Sequence, residues 1–504
     1  MKNPFSLDHP ILELRNEGRV QHWTLRDAVE GTCLFGGIGS GKTSGSGRML
    51  ARKFLEAGMG GLVLTVKPDE KDLWVQYAKE MGRANDLVVL EPGGKHHFDF
   101  LSYESANKDG ALSITGNIVN VLKTVIKASE EQDQHRHEDE FWDTALNLLL
   151  HNTIDLLLLA YSKVTISELY DVVQNLPKAV EEKPQEGASE QSKTGAFYTA
   201  YEAARKRVMV LVNAFKAKQD PKKLKEMSPA QYQTLLSNGV PEARRMSFID
   251  QFFLETFRKL SSKTRSIIDF TFIGFLFQLL QDPIYNLFCQ HASTFLPEDC
   301  YLHGKIIIIS LPVKLFDKAG RDAQIMFKYI WQRAMERRNT AKNARAVFLY
   351  ADEAQFFLHG HDATFQATAR SSRIATVYIT QNIHSFFSAM GGTNAEHRVK
   401  SFLGTLATKV FHANADIETN VYASKIVGQA FQKDVTVSRT MVGNEFQASE
   451  SSHWILMDMI RPEDFVGMKT GGPENRKMVE AVMHFQGKKF AGGHHHLKVS
   501  FKQA

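Results

Sequence analysis

The chain has 504 residues, 43% hydrophobic and 23% charged, a globular composition that excludes disordered, collagen-like and coiled-coil chains and leaves room for about three domains. Lys+Arg 61 against Asp+Glu 56 gives a formal charge of +5, too slight over this length to specify a polyanionic partner. Three cysteines, Cys33, Cys289 and Cys300, cannot build a disulfide framework or a four-cysteine zinc site, so the expected compartment is the reducing cytoplasm.

The first 30 residues are polar and mixed. Thr32-Cys-Leu-Phe35 then forms a short apolar run that enters glycines, and Gly61–Val66 is a second buried-strand candidate, stopped by Pro68. Asp86–Leu90 is a third. From about Ser102 the pattern turns helical, and Trp142–Tyr161 is apolar on most faces, as in a helix buried inside a helical subdomain. Leu148–Tyr161 and Phe270–Leu280 are the most apolar stretches, yet neither supplies the roughly 20 uninterrupted apolar residues of a bilayer span. No direct membrane span is therefore expected, and Met1-Lys-Asn-Pro lacks the pattern of a secretory signal. Residues 176–194 are rich in Glu, Pro, Gly and Ser and read as an exposed, mobile loop.

Helical patterns resume from Phe197 to about Gln290. Strands return with Lys305–Ser310, Ala346–Tyr350, Thr376–Thr380 and Thr408–His412, and an amphipathic helix is expected over Ala319–Arg338. Strands alternating with helices imply an α/β domain with a mainly parallel sheet covered on both faces. A large all-helical insertion interrupts it. The expected division is 1–102, 103–300 and 301–504.

Gly36-Gly37-Ile38-Gly39-Ser40-Gly41-Lys42-Thr43 matches G-x-x-x-x-G-K-[ST]. Its glycines let backbone N–H groups turn inward around phosphates, Lys42 reaches the β and γ phosphates, and Thr43 holds Mg²⁺. A strand precedes the loop and a helix over Arg48–Phe54 follows, so residues 36–44, Ser44 included, place the anion on a helix N-terminus. The partner half is expected at the end of the strand Ala346–Tyr350. There Asp352 serves the metal, and Glu353 serves as general base for the attacking water. Gln381, at the end of Thr376–Thr380, faces the ligand crevice and can sense the γ phosphate or position water. Arg370 and, after it, Arg373 are placed on the Glu353 side of the sheet, where an arginine can complete a neighbour's site or contact DNA.

These elements in this order resemble the conjugative coupling ATPases of type IV secretion systems, the TraG/TraD-like group. The likeness rests on several stretches: the phosphate loop with Leu62–Pro68, Phe141-Trp142, Leu260–Thr264, and Lys305–Pro312. It continues through Ala351–Gln355, Arg370–Asn382, Ala413–Asp416, Ala423–Gly428 and Ile460–Asp464. The resemblance implies a RecA-like P-loop motor with an inserted helical domain that hydrolyses ATP with Mg²⁺. It also implies a homo-oligomeric, hexameric ring that carries DNA or nucleoprotein to a secretion channel. Lys42, Thr43, Asp352, Glu353 and Gln381 carry over directly. Two features depart from the family. The phosphate loop begins at residue 36, without the usual preceding transmembrane helices, so docking through a membrane-anchored partner or free cytoplasmic action is expected. Lys67 also stands where the family places an Asp before Pro. The alternatives are a soluble FtsK/HerA-like DNA translocase and an ATP-gated, protein-recruiting adaptor.

Glu202–Met227 holds Arg205, Lys206, Arg207, Lys216, Lys218, Lys222, Lys223 and Lys225 against three acidic residues, a local excess able to neutralise phosphates. Arg258, Lys259, Lys263 and Arg265 form a second cluster. His135, His137 and Glu140 have metal-like spacing but share no helical face, and His494–His496 reads as a surface loop.

Overall fold

The computed structural model of the protein describes residues 5–16, 19–106, 114–132, 140–177, 195–391, 394–442, 445–490 and 493–503. The chain divides into two units. One comprises Met1–Val88, Pro297–Lys314 and Trp331–Ala504, the other Val89–Leu296 and Leu315–Ile330.

The first unit is built on strands β1 (Pro10–Asn16), β2 (Arg19–Thr24), β3 (Thr32–Phe35), β4 (Gly60–Leu64), β5 (Leu87–Leu90), β6 (Ile306–Ile309), β7 (Val347–Ala351), β8 (Ile374–Thr380), β9 (Thr408–His412), β10 (Gln429–Val442), β11 (Glu445–Asp458), β12 (Met478–Phe485) and β13 (His496–Lys502). β1 and β2 form a hairpin, as do β10 and β11, and nine strands form one sheet in the order β13-β12-β9-β3-β8-β7-β4-β6-β5. The run from β9 to β6 is parallel. β12 joins β9 antiparallel, and β13 joins β12 antiparallel.

Every residue of β3, β4, β6, β7, β8 and β9 is buried, the condition of a parallel sheet covered on both faces. This is why Ile306–Ile309 and Val347–Ala351 are continuous apolar runs without a polar alternation. Residues such as Leu34, Val63, Ile308 and Leu349 expose at most 1% of their surface. Truncating any of them to alanine would cost about 2–5 kcal/mol.

The parallel register lines up the strand ends that carry the site. Phe35 pairs with Thr380 and with Phe411, Ala351 with Tyr378, and Leu64 with Ala351. The residues that follow β3, β4, β7, β8 and β9 therefore emerge along one edge, the carboxyl edge where ligands bind in such sheets.

The second unit is helical. Its long members are Ile114–Gln132, Glu140–Tyr161, Ala196–Lys216 and Ser262–Leu279. Leu149, Leu150, Ile154, Leu157, Phe197, Phe253, Phe257 and Phe272 form its core, each at most 1% exposed. Among the described residues one helix segment, Asp143–Tyr161, is long and apolar enough to cross a membrane by length and composition. Leu146, Leu149, Leu150, Ile154, Leu156 and Leu157 within it are buried, so it serves as the core helix of this unit.

The helical unit begins at Val89 and ends at Leu296, and it also takes Leu315–Ile330 from the helix Val313–Arg337, which the sequence assigned to the α/β half. The opening 30 residues contain the β1–β2 hairpin. The C-terminal part adds four strands. Residues 178–194 and 133–139, where the loop and the His135/His137 spacing fall, lie outside the described residues.

The β10–β11 ribbon has 14 residues in each strand. Its register puts Phe431, Val435, Val437, Trp454 and Leu456 on one face, all of them exposed.

Candidate nucleotide site

The loop after β3 makes a tight turn. Gly39 and Gly41 have φ of +73° and +80°. At Gly41 a Cβ would also lie 2.5 Å from Val479 Cγ2 on β12, so glycine is required twice over. The first turn after the loop, Thr43–Gly47, is of the wide π type and runs into the helix Arg48–Glu56. A Cβ on Gly47 would meet the Tyr350 hydroxyl at 2.6 Å, so this glycine lets the helix approach β7. The Ser40 hydroxyl is buried and unpartnered.

A cavity of about 760 Å³ opens at this edge. It is lined by residues 37–44, Lys67, Glu353, Gln381 and Gln503, among others. The two distant halves of the site meet in it. Thr43 Oγ1 donates to Asp352 Oδ2 at 2.8 Å, and Lys42 Nζ stands 3.6 Å from Glu353 Oε1. Lys42, Asp352 and Glu353 are 8%, 2% and 6% exposed. A nearly buried lysine, the glycine turn and an unpartnered buried hydroxyl form a cradle that fits a polyphosphate. The hydroxyl of Thr43 and the carboxylate of Asp352, both hard oxygen donors, fit Mg²⁺, which takes few protein ligands and leaves the rest to phosphates and water. Among the described residues no group of three or more His, Cys, Asp or Glu side chains could hold a metal by itself.

Glu353 sits in the left-handed region (φ 47°, ψ 51°), a conformation an acidic residue holds only when its surroundings fix it. Its N–H donates to Asp352 Oδ1 at 2.9 Å. Gln355 Nε2 donates to its Oε2 at 2.9 Å, and Gln381 Nε2 reaches both carboxylate oxygens at 3.3 and 3.4 Å. Burial raises this carboxyl, but the bonds from Gln355 and Gln381 and the charges of Lys42 and Lys67 outweigh it, and the net shift is downward. Glu353 is thus held ionised, as a general base must be. Burial dominates at Asp352 and raises it, against the opposing pull of Lys67 and Thr43.

The neighbouring strands hold this geometry. Thr380 Oγ1 donates to Gln355 Oε1 at 3.0 Å, and Asn414 Nδ2 donates to the Gln381 carbonyl at 2.8 Å. Beneath the loop, His412 Nδ1 lies 3.1 Å from the Glu480 carbonyl, and its Nε2 lies 2.6 Å from Ser46 Oγ. The carbonyl requires a proton on Nδ1, so Nε2 accepts from the serine. Burial pushes His412 down to about 4. From the chain terminus, Gln503 Nε2 donates to Ser44 Oγ at 2.8 Å, and its Oε1 accepts from Gly472 N at 2.8 Å.

Residues 346–470 match the family model TraG-D_C, described as the TraM recognition site of TraD and TraG. Among solved structures, the unbound bacterial conjugative coupling protein TrwBdeltaN70 aligns over 97% of this chain and 87% of its own, at 13% identity and a TM-score of 0.59. The plasmid coupling protein TrwB in complex with ADP and Mg²⁺ aligns over 98% and 89%, at 13% identity and a TM-score of 0.59. Residues 346–470 are thus similar to a segment of TraD and TraG, and the chain is similar to TrwB in fold. That fold has a large sheet of mainly parallel strands accompanied by many helices. TrwB with the non-hydrolysable ATP analogue ADPNP aligns over 95% and 87%, at 13% identity and a TM-score of 0.57. None of the curated proteins matches the chain.

Lys42, Thr43, Ser44, Asp352, Glu353 and Gln381 come together in the structure. Arg370 and Arg373 do not join them. They precede β8 and lie at its opposite end, about 23 Å of strand away from Gln381. Placing them on the Glu353 side is therefore corrected. Arg373 donates to the carbonyls of Phe5 and Ala344 at 2.5 and 3.0 Å, and Arg370, 56% exposed in its side chain, pairs with Glu30 at 3.2 Å.

Of the basic clusters, Arg205, Lys206, Lys218, Lys222, Lys223 and Lys225 are exposed on Ala196–Lys216, Pro221–Glu226 and the link between them. Arg265 in the second cluster is buried over the Phe257 ring at 4.6 Å, so it is a packing residue. Sequence reasoning also passed over Lys67, Glu70, Gln355, His412 and Gln503. Gln355 stood inside the quoted Ala351–Gln355 stretch, and Lys67 was noted only as a departure.

Proposed function

We propose that this protein is an Mg²⁺-dependent ATPase that works as the motor of a type IV-like transfer apparatus, assembling as a homo-hexameric ring and moving DNA or nucleoprotein. The observation that carries the reading is the meeting of Thr43 with Asp352, 309 residues apart in sequence, and of Lys42 with Glu353, at a cavity of nucleotide size that Lys42, Thr43 and Glu353 line. Bound Mg²⁺ would supply charge neutralisation on the β and γ phosphates.

The chain's own residues perform the remaining work. Residues 36–44 cradle the phosphates and Lys42 reaches their outer oxygens. Glu353, ionised and fixed by Gln355 and Gln381, accepts the proton of the attacking water. Gln381, bonded to that base, couples the γ-phosphate position to β8 and, through Asn414, to the segment after β9. Arg370, half-exposed at the far end of β8, is the arginine available to a neighbouring subunit. The exposed lysines and arginines of Glu202–Met227 supply a sequence-independent DNA contact. The expected location is cytoplasmic, with recruitment to the inner membrane through a partner. TrwB is described as a conjugative coupling protein and as binding ADP with Mg²⁺, which supports this reading.

The test is ATP turnover of wild type and Lys42→Ala, with and without single- and double-stranded DNA, at two salt concentrations. The expected result is turnover abolished by Lys42→Ala and stimulated by DNA in a salt-sensitive way. Equal turnover in the two proteins refutes the site. An active wild type indifferent to DNA refutes the DNA motor and favours the protein-recruiting adaptor.

A further inference from the structure

Lys67, like Arg48 and Lys314, is a cavity-lining cation that the mechanism above does not use, and it is the one that lies beside Asp352. It follows β4, and the pairing of Leu64 with Ala351 brings the ends of β4 and β7 out side by side. Lys67 Nζ lies 4.0 Å from Asp352 Oδ2 and 3.9 Å from Glu70 Oε1. Both separations exceed a hydrogen bond. The side chain is 41% exposed, and it lines the same cavity as Lys42, Thr43 and Glu353. Its ammonium is therefore held near two carboxylates by charge alone and retains hydrogen-bonding capacity toward the cavity.

Glu70 explains why a lysine sits there. It is 6% exposed. One of its oxygens, Oε2, accepts from Val66 N at 2.7 Å, while the other, Oε1, is buried without a hydrogen-bond donor and faces Lys67. Burial and the Asp352 charge push this carboxyl up to about 7, so what Glu70 supplies is chiefly position: it is anchored by one oxygen to the backbone just before Lys67 and lies behind that ammonium. Pro68 adds rigidity by disfavouring helical backbone at Lys67.

We infer that Lys67 is a second catalytic cation of this site. It binds the oxygens of the terminal phosphoryl group from the β4 side, opposite Lys42, and so distinguishes a nucleoside triphosphate from a diphosphate. The inference rests on the nucleotide reading of the cavity. Once Asp352 shares its charge with a bound metal ion, Lys67 keeps the phosphate oxygens before it as anionic neighbours, with Glu70 behind it holding its place. Charge developing on the transferred group then meets a lysine on each side, with donors fixed before the reaction begins. Glu70 is a positioning residue that acts through Lys67.

The experiment uses the full chain with Lys67→Met, Lys67→Arg and Glu70→Gln. Two quantities are measured: steady-state ATP turnover, and equilibrium binding of ATPγS and of ADP by calorimetry in the presence of Mg²⁺. A lost charge-assisted contact corresponds to about a 10- to 100-fold effect. Lys67→Met is expected to lower kcat by that factor and to reduce the preference for ATPγS over ADP about tenfold, with ADP affinity within about twofold of wild type. Lys67→Arg restores part of both, and Glu70→Gln gives a smaller loss of the same kind. A structural role for Lys67 would lower the affinities for both nucleotides together.

Lys67→Met with wild-type turnover and an unchanged ATPγS-to-ADP ratio overturns the inference. A wild type that binds neither nucleotide overturns the underlying site instead. Should Lys67→Met fail to fold, Lys67→Gln takes its place with the same two outcomes.

Discussion

His412 offers a direct thermodynamic test of how the phosphate loop is held. The imidazole is 1% exposed, donates from Nδ1 to a β12 carbonyl and accepts at Nε2 from Ser46. Burial, with a smaller push from Lys42, takes it from its ordinary 6.5 to about 4. The folded state thus resists a proton that the unfolded chain accepts. Its contribution to stability is complete above pH 6.5 and is lost as pH falls from there through about 4. At pH 5 the unfolded chain holds this group almost fully protonated and the fold holds it almost wholly neutral, a penalty of about 2 kcal/mol relative to pH 7.5. For a domain of a few hundred residues that lowers the melting temperature by about 4–8 °C.

His484 and His496 are also pushed to about 4 and act in the same direction, although both are half-exposed and screened by solvent. The informative quantity is therefore a difference of slopes. His412→Gln keeps a donor for the Glu480 carbonyl and an acceptor for Ser46 but cannot titrate. Thermal unfolding of both proteins at pH 7.5 and pH 5 should show the variant losing about 2 kcal/mol less than wild type over that interval. An equal loss in the two proteins would refute the reasoning that a neutral histidine props up the loop.

Two further predictions follow from the site and from the helical unit. Glu353→Gln should lower kcat by about 10²–10⁴-fold while nucleotide binding, measured by calorimetry, stays near wild type, because it removes a base but no phosphate contact. Replacing Arg205, Lys206, Lys222 and Lys223 by alanine should weaken double-stranded DNA binding alike on unrelated sequences. The slope of log affinity against log salt should flatten by about 3–4 if all four meet phosphates, and an unchanged slope would remove this face from the DNA path.

The parallel core was legible because its strands are buried on both faces. Ile306–Ile309 and Val347–Ala351 leave no room for polar alternation, and such runs bounded by glycine or charge are hard to read as anything else. The later strands are less conspicuous. On β10, Phe431, Val435, Val437 and Met441 recur with period two, but Lys433 and Arg439 interrupt them and no residue count shows which face has a partner. The site divided in the same way. Lys42, Thr43 and Asp352 were readable because their chemistry demands particular residue types at particular offsets. Gln503 was not readable, since β13 must first return antiparallel along β12 before its end reaches Ser44. Arg370 and Arg373 precede Gln381 by only a few residues, yet the length of β8 separates them from it in space, which no residue count in the sequence reveals.

The same register argument shows why Gln381 matters beyond its own contact. Glu353 lies in a backbone conformation that carries a cost of order 1–3 kcal/mol, and its side chain is held by amides from two directions. One of these, Gln355, is fixed by Thr380, and the other, Gln381, directly follows that residue. Both supports therefore converge on the end of β8, and Asn414 on the next segment holds the Gln381 carbonyl. If the γ phosphate draws the Gln381 amide away, Glu353 loses one of two donors while β8 registers the movement through the chain and the segment after β9 through the Asn414 side chain. If Glu353 is the base, as proposed above, its strained backbone and its shared supports couple proton transfer there to displacement of β8.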